Sequence, residues 1–280
     1  MHSFFILFGI SIAAGFVGAM AGMGGGVVLI PALTLMHMDI KKAIALSIVS
    51  VIATSSGAAA AYVRDRLTNL KVGMFLEMFT IIGAIVGASI TVAVNSRWLF
   101  ILFGAVLLTS WGALLARRNE EWKPVENPDR FSQWLELEGS YPDKAAPGGE
   151  SEISYRATHA AWGGGLMFIA GLIAGLLGIG AGALKVIIHD MVMGLPPKVS
   201  TTTSNLIIGV TALAGTSVYL AQGLIDPGLA APIILGILTG AFLGTRVLVR
   251  LPNQKVRQFF MIVLALLGIE MILRGIRGTL

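Results

Sequence analysis

The sequence predicts an all-α polytopic membrane protein, and three observations carry that prediction. Of 280 residues, 55% are hydrophobic and only 12% charged, with a mean hydropathy of +0.83. Soluble domains carry about a quarter charged residues, so a surface of this composition is not solvated by water. The apolar residues fall into runs of roughly 20, the length a helix needs to cross a hydrocarbon core. These runs form two matched sets, each with one short run behind a cluster of glycines. The same composition excludes a disordered chain.

The first long run, 3–21, leads into Gly22-Met23-Gly24-Gly25-Gly26, and the short run 27–36 follows. Run 42–62 carries the hydroxyls Ser47, Ser50, Thr54, Ser55 and Ser56. Run 71–93 has Glu77 one turn inside it and the motif Gly83-Ala84-x-x-Gly87, and run 98–116 closes the first half. Residues 117–158 are polar and contain Pro124, Pro128, Pro142, Pro147, Gly148 and Gly149, which reads as a solvated linker with one short interfacial helix around 131–135. The second half repeats the order. Run 159–177 leads into Gly178-Ile179-Gly180-Ala181-Gly182, then come the short run 183–193, the hydroxyl-rich run 199–222, run 228–249 with Gly240-Ala241-x-x-Gly244, and run 255–274. The chain therefore divides into an N-terminal repeat (1–116), a linker (117–158) and a C-terminal repeat (159–280). Each repeat has four full spans and one short, glycine-broken segment.

The correspondence between the halves is residue by residue. At an offset of 156 the first glycine cluster lies on the second, and Gly15 on Gly171. At an offset of 157 Ser47 falls on Ser204, Thr54 on Thr211, Tyr62 on Tyr219, and Gly83 and Gly87 on Gly240 and Gly244. Shared hydrophobicity aligns leucines and valines; it does not align glycines and hydroxyls in one order, so the halves are copies.

Charge then distinguishes two topologies. If the short runs do not change sides, the repeats are parallel and Lys and Arg divide 11 against 8. If they do, the repeats are inverted and the division is 14 on the linker side against 5 on the other, with Lys185 inside the membrane. Basic residues collect on the cytoplasmic side, so inverted repeats are preferred, with the linker cytoplasmic and both termini outside. The expected location is the inner, cytoplasmic membrane.

Several chemistries are absent from the sequence. Zero cysteines remove disulfides, thiolate metal sites and thiol catalysis, and four scattered histidines (His2, His37, His159, His189) form no metal motif. No cofactor is expected. The net charge of +5 lies between apolar runs rather than in a stripe, so the expected environment is the lipid bilayer, not nucleic acid.

The paired motifs Gly22-Met-Gly24-Gly25-Gly26-Val-Val-Leu-Ile-Pro31 and Gly178-Ile-Gly180-Ala181-Gly182-Ala-Leu-Lys185, with Thr203-Ser204-Asn205, Ile225-Asp226-Pro227 and the two Gly-Ala-x-x-Gly motifs, resemble the TauE/SafE family of sulfite and organosulfonate exporters. The resemblance covers both halves. Ala181 stands where the family has a glycine, Ile187 where a proline is common, and Ala45-Leu46-Ser47 where a Gly-Thr-Ser is usual. The resemblance implies export of small sulfur oxyanions or sulfonates, with sulfite or a sulfoacetate-like anion as the small-molecule partner.

The residues themselves point to the same task. A glycine-rich break exposes backbone N–H groups, and the helix beginning after it turns its positive end to the break. Short interrupted segments at matching places in two halves mark a transporter site near the bilayer midplane. The expected anion ligands are therefore Gly24, Gly25, Gly26, Gly180, Ala181 and Gly182, with hydrogen bonds from Ser47, Thr203, Ser204 and Asn205. Lys185, a cation within an apolar run, is expected to neutralise the anion or to pair with Asp190 or Glu270. Glu77, His189 and Asp190 are candidates for proton coupling. Two other functions are kept beside the secondary transporter: a passive anion channel, and an intramembrane hydrolase using a serine with Lys185. The glycine motifs at 83–87 and 240–244 pack helices within a protomer or across a homodimer.

Overall fold

A computed structural model of the protein describes residues 4–21, 25–64, 66–116, 122–143, 151–248 and 253–277. Gly22 and Gly24 of the first glycine cluster lie outside the described residues. The first half comprises α1 (Phe4–Ala21), α2 (Gly26–Leu35), α3 (Ile40–Arg64), α4 (Leu70–Ala93) and α5 (Ser96–Ala116). The linker holds α6 (Arg130–Trp134) and an antiparallel pair, β1 (Glu138–Asp143) and β2 (Ser151–Arg156). The second half comprises α7 (Ala160–Leu177), α8 (Gly182–Ile187) running into a π-helical turn (Ile188–Val192), α9 (Pro197–Ala221), α10 (Pro227–Leu248) and α11 (Asn253–Arg277). Among the described residues, α4, α7, α9 and the Pro227–Gly244 stretch of α10 are long and apolar enough to cross a membrane by themselves. The exposed faces of these helices carry Met74, Ile82, Leu213, Leu238 and Phe242, as contact with lipid requires.

Small residues decide which helices pair. A Cβ on Gly83 or Gly87 would strike the Phe168 or Leu172 carbonyl oxygen, so α4 lies directly on α7. Gly240 meets the Ile12 carbonyl in the same way, joining α10 to α1. Phe168 corresponds to Ile12 and Gly83 to Gly240, so the two contacts are counterparts. Without a hydrophobic drive between helices in lipid, such close backbone approach supplies the dispersion contact. Gly83, Gly87 and Gly240 are thus used within the protomer.

The contacts also fix direction. Along α3 and α9, Ile48 packs on Gly215 while Ser55 packs on Gly209, so these counterpart helices run antiparallel. Along α5 and α11, Gly104 meets Gly268 and Ile101 meets Gly275, again antiparallel. At one end of the molecule, Arg274 Nη1 donates to the Thr34 carbonyl (3.0 Å). At the other, the Lys198 ammonium lies over the Tyr141 ring of the linker (5.8 Å).

The linker is folded, contrary to the solvated connection its composition suggests. Tyr141 and Tyr155 of the hairpin are buried with Val72, Leu76 and Val199. The Asn69 amide donates to the Tyr155 hydroxyl (3.0 Å) and to the Glu138 carbonyl (3.2 Å). The short helix around 131–135 is present as α6, capped by Asp129, whose carboxylate accepts from the Ser132 N–H (3.2 Å). The Ser132 hydroxyl accepts in turn from the Ala160 N–H (3.1 Å), fastening α6 to the start of α7.

Burial alone would raise the Asp129 carboxyl; the Ser132 hydroxyl and N–H, the His159 N–H and the Thr158 hydroxyl outweigh it and hold it down from 3.8 to about 2. A depressed carboxyl contributes stability that is present above its unfolded value and lost as pH falls through the folded one. Docking of α6 is thus expected to be constant between pH 5 and 8 and to weaken only below pH about 4. Asp129→Ala removes the cap at a cost of about 1 kcal/mol, read as faster proteolytic nicking of the linker.

Candidate functional site

The second break is built by backbone geometry. Gly178 ends α7 in the left-handed region (φ +65°), with its N–H on the Ala174 carbonyl (2.8 Å). Gly180 (φ +70°) and Ala181 (φ +48°) follow in the same region before α8 begins. Left-handed backbone suits glycine and strains alanine by about 1–2 kcal/mol. Ala181 is therefore held by its surroundings, at the position where the resemblance leads one to expect glycine. Runs of such residues turn successive N–H groups into a concavity that suits an anion.

The start of α2 meets the second break. A Cβ on Gly26, at the start of α2, would stand 2.5 Å from the Ser47 hydroxyl and 3.1 Å from the Gly178 carbonyl oxygen. The Ser47 hydroxyl donates to that carbonyl (3.0 Å), so a side chain of the first half closes the break of the second. Ser204 directs its hydroxyl to the Gly182 carbonyl (3.4 Å). Gly25, Gly26, Gly180, Ala181, Gly182, Ser47 and Ser204 are all buried. Between Val27, Ile179, Ala181, Gly182, Leu184 and the α5 residues Val106, Leu107 and Ser110 a cavity of about 10 Å³ remains. That is room for about one water, so this conformation is closed between the second break and the start of α2.

Two of the predicted ligands direct their polar atoms elsewhere. The Thr203 hydroxyl accepts from the Asn69 N–H (3.1 Å) at the start of α4, and the Asn205 amide donates to the Thr201 carbonyl of its own helix (3.1 Å). Gly24 lies outside the described residues.

Lys185 is fully buried. Its ammonium donates to the Thr211 hydroxyl (2.7 Å), and that hydroxyl oxygen lies 3.1 Å from Glu77 Oε1 and 3.2 Å from the Thr80 hydroxyl. The negative charge acting on Lys185 is that of Glu77, across Thr211. Glu270, the partner considered from sequence, pairs instead with Arg274 (2.7 Å). Helix α9 gives the scale: Gly182 stands beside Ser204, Gly180 against Ile208, and the ammonium reaches Thr211 one turn further on. Glu77 and Thr80 were harder to find from sequence, since Glu77 reads as an interfacial residue one turn into its span. The available signal was its counterpart, Ile234, which leaves the carboxylate without a copy.

A wider cavity of about 580 Å³ opens at the far end of α2, lined by Thr34, His37, Asp39, Glu270, Arg274 and Arg277 among others. Helix α2, about 15 Å long at 1.5 Å per residue, separates it from the breaks.

A model of the family described as Sulfite exporter TauE/SafE matches residues 7–271. The probable membrane transporter protein YunE of Bacillus subtilis (strain 168) is 26% identical over 282 aligned residues, covering 98% of this chain and 99% of its own length. The probable membrane transporter protein YdhB of the same organism is 24% identical over 265 residues, covering 94% and 96%. No solved structure matches the chain with significance.

Proposed function

The chain belongs to the sulfite exporter TauE/SafE family of membrane transporters, and from that premise we propose that it carries small sulfur oxyanions or organosulfonates across the cytoplasmic membrane as a secondary transporter. The anion is held where the two breaks meet. The observation that carries this reading is the Ser47 hydroxyl on the Gly178 carbonyl with Gly26 beside it, because it joins the broken segments of both halves at one buried point. The first N–H groups of α2 and those of Gly180 to Gly182 supply donors, and Ser47 and Ser204 supply hydroxyls that can turn from carbonyl to anion. Hydrogen bonds of this kind hold a sulfonate without burying a second full charge at each contact. Lys185, one helical turn along α9 from the level of Gly180, supplies the single positive charge.

The halves are inverted repeats in this reading. Counterpart helices related by an axis along the membrane normal would be parallel; α3 with α9 and α5 with α11 are antiparallel, which supports an axis in the membrane plane. Arg274 against Thr34, and Lys198 against the linker, group the charges as the 14-to-5 division requires. The positive-inside rule then puts the linker in the cytoplasm and the 580 Å³ vestibule outside. With a closed site and a vestibule behind α2, displacement of α2 is the motion that releases the anion outward.

The experiment is flux of labelled sulfite from proteoliposomes. Saturable flux that falls at least several-fold in Ser47→Ala supports the transporter; non-saturating conductance points to a channel, and turnover of a bond without flux to an enzyme. Topology is read separately in the cysteine-free chain. Single Asn95→Cys and Gln133→Cys variants are expected to react with an impermeant thiol reagent from opposite sides, and labelling from one side contradicts the inversion.

A further inference from the structure

The duplication supplies a control for the buried charges. The cluster takes Lys185 from the second half and Glu77 and Thr80 from the first; at the counterpart positions in the opposite half stand Leu29, Ile234 and Ile237. Leu29 and Ile237 are fully buried in their own copy of the packing, so the fold is completed by hydrocarbon at these places. Replacing a buried ion pair by well-packed apolar residues is often neutral or stabilising, and such pairs are weak evidence for a structural role. The charged member of each matched pair is therefore kept for another reason.

The local hydrogen bonds define that reason. The Thr211 hydroxyl has one proton for three acceptors: Glu77 Oε1 (3.1 Å), the Thr80 oxygen (3.2 Å) and the Ile207 carbonyl (2.6 Å). The Thr80 hydroxyl gives its own proton to the Glu77 carbonyl (3.0 Å). Glu77 Oε2 is buried with no hydrogen-bond partner. The carboxylate thus receives at most one hydrogen bond, and what offsets its charge is Lys185. Lys185 has two further N–H protons, and its ammonium lies one helical turn along α9 from the level of Gly180. The titratable groups around the pair are few. Helix α4 brings Glu77, α8 brings Lys185, and the π-helical turn brings Asp190 and buried His189, whose Nδ1 is 3.2 Å from the Ser200 carbonyl and whose Nε2 has no partner. Helix α7 brings none, and α9 carries Lys198 at its start and Tyr219 near its end.

We infer that Glu77 is a resident anion that occupies Lys185 in the empty carrier, and that transfer of a proton to Glu77 releases Lys185 to the travelling anion. The balance is one proton onto Glu77 for one negative charge beside Lys185, so the cluster keeps its net charge throughout, and the anion moves with a proton. This rests on the transport reading above and adds to it the coupling ion.

The test uses full-length protein in proteoliposomes with labelled sulfite, protein-free vesicles giving the baseline for permeation of its neutral form. Two assays are run: sulfite exchange at equal pH on both sides over a range of pH, and net accumulation under a pH gradient. In wild type, exchange is expected to vary with pH and sulfite to gather on the alkaline side, about tenfold per pH unit at equilibrium. Glu77→Gln is expected to lose both the pH dependence and the gradient-driven accumulation. A Glu77→Gln protein that exchanges sulfite and still accumulates it as wild type does overturns the coupling alone. Wild type that does not exchange sulfite at all overturns the transport reading, and the coupling with it. Because removing one charge strands the other, a second variant, Lys185→Leu with Glu77→Ile, places at both positions the residues of their counterparts, Leu29 and Ile234. It is expected to melt no lower than wild type and to have lost sulfite flux. A large fall in melting temperature assigns the pair to structure and overturns the inference.

Discussion

Gly87→Ala is expected to lower the melting temperature in detergent by roughly 5–10 °C, the shift that about 3 kcal/mol makes in a chain of this size. The new methyl group meets the Leu172 carbonyl oxygen, and Leu176 N–H is 2.9 Å from the same point. Both are backbone atoms inside α7, so neither can rotate away; relief requires α4 and α7 to separate, which opens contacts along their whole length. Overpacking a tight interior costs typically about 1–3 kcal/mol, and a rigid neighbour takes the upper end. Gly165→Ala is the control. It lies in the same helix pair, a Cβ there meets nothing within 4 Å, and loss of glycine's backbone entropy is expected to leave stability unchanged or raised by up to about 1 kcal/mol. Equal melting of the two variants would contradict the packing described here.

Gly26→Ala is the same chemical change with the opposite expected signature. Its methyl group meets the Ser47 hydroxyl at 2.5 Å, a side-chain atom that can turn aside, so the melting temperature is expected to move far less than in Gly87→Ala. Turning aside breaks the bond from Ser47 to Gly178 and pushes the two breaks apart. Loss of one hydrogen bond to a charged ligand is worth about 1.5–3 kcal/mol, so sulfite affinity is expected to fall roughly 10- to 100-fold. Transport kinetics at several sulfite concentrations measure it, and an unchanged KM would detach the first break from the binding of substrate.

These expectations show what the sequence made visible. Spans, glycine breaks and the copied halves all follow from periodicity and self-similarity; the described spans appear as helices, and the second break appears at Gly178 to Ala181 where those signals put it. What one dimension conceals is azimuth and contact between distant residues. Thr203 and Ser204 are neighbours in a single motif, yet adjacent residues on a helix point about 100° apart. Thr203 therefore serves α4 and Ser204 serves α8. Glu77 reads as interfacial because it lies one turn into its apolar run, but the folded linker extends the protein beyond the start of α4, and the residue is only 8% exposed. The hairpin was hidden for a related reason. Its strands are short, polar and interrupted by Pro142, and their stability comes from Asn69 and the ends of α4 and α9 rather than from local propensity.

Calorimetric titration of the purified protein with sulfite measures directly whether both halves of the chain hold the same ion. The account predicts one sulfite per chain, with affinity weakened by Ser47→Ala and by Ser204→Ala, and a double variant whose loss differs from the sum of the two by at least about 0.5 kcal/mol, as expected when two groups share one ligand. Two sulfites per chain, or losses that add as if the serines served separate sites, would contradict it.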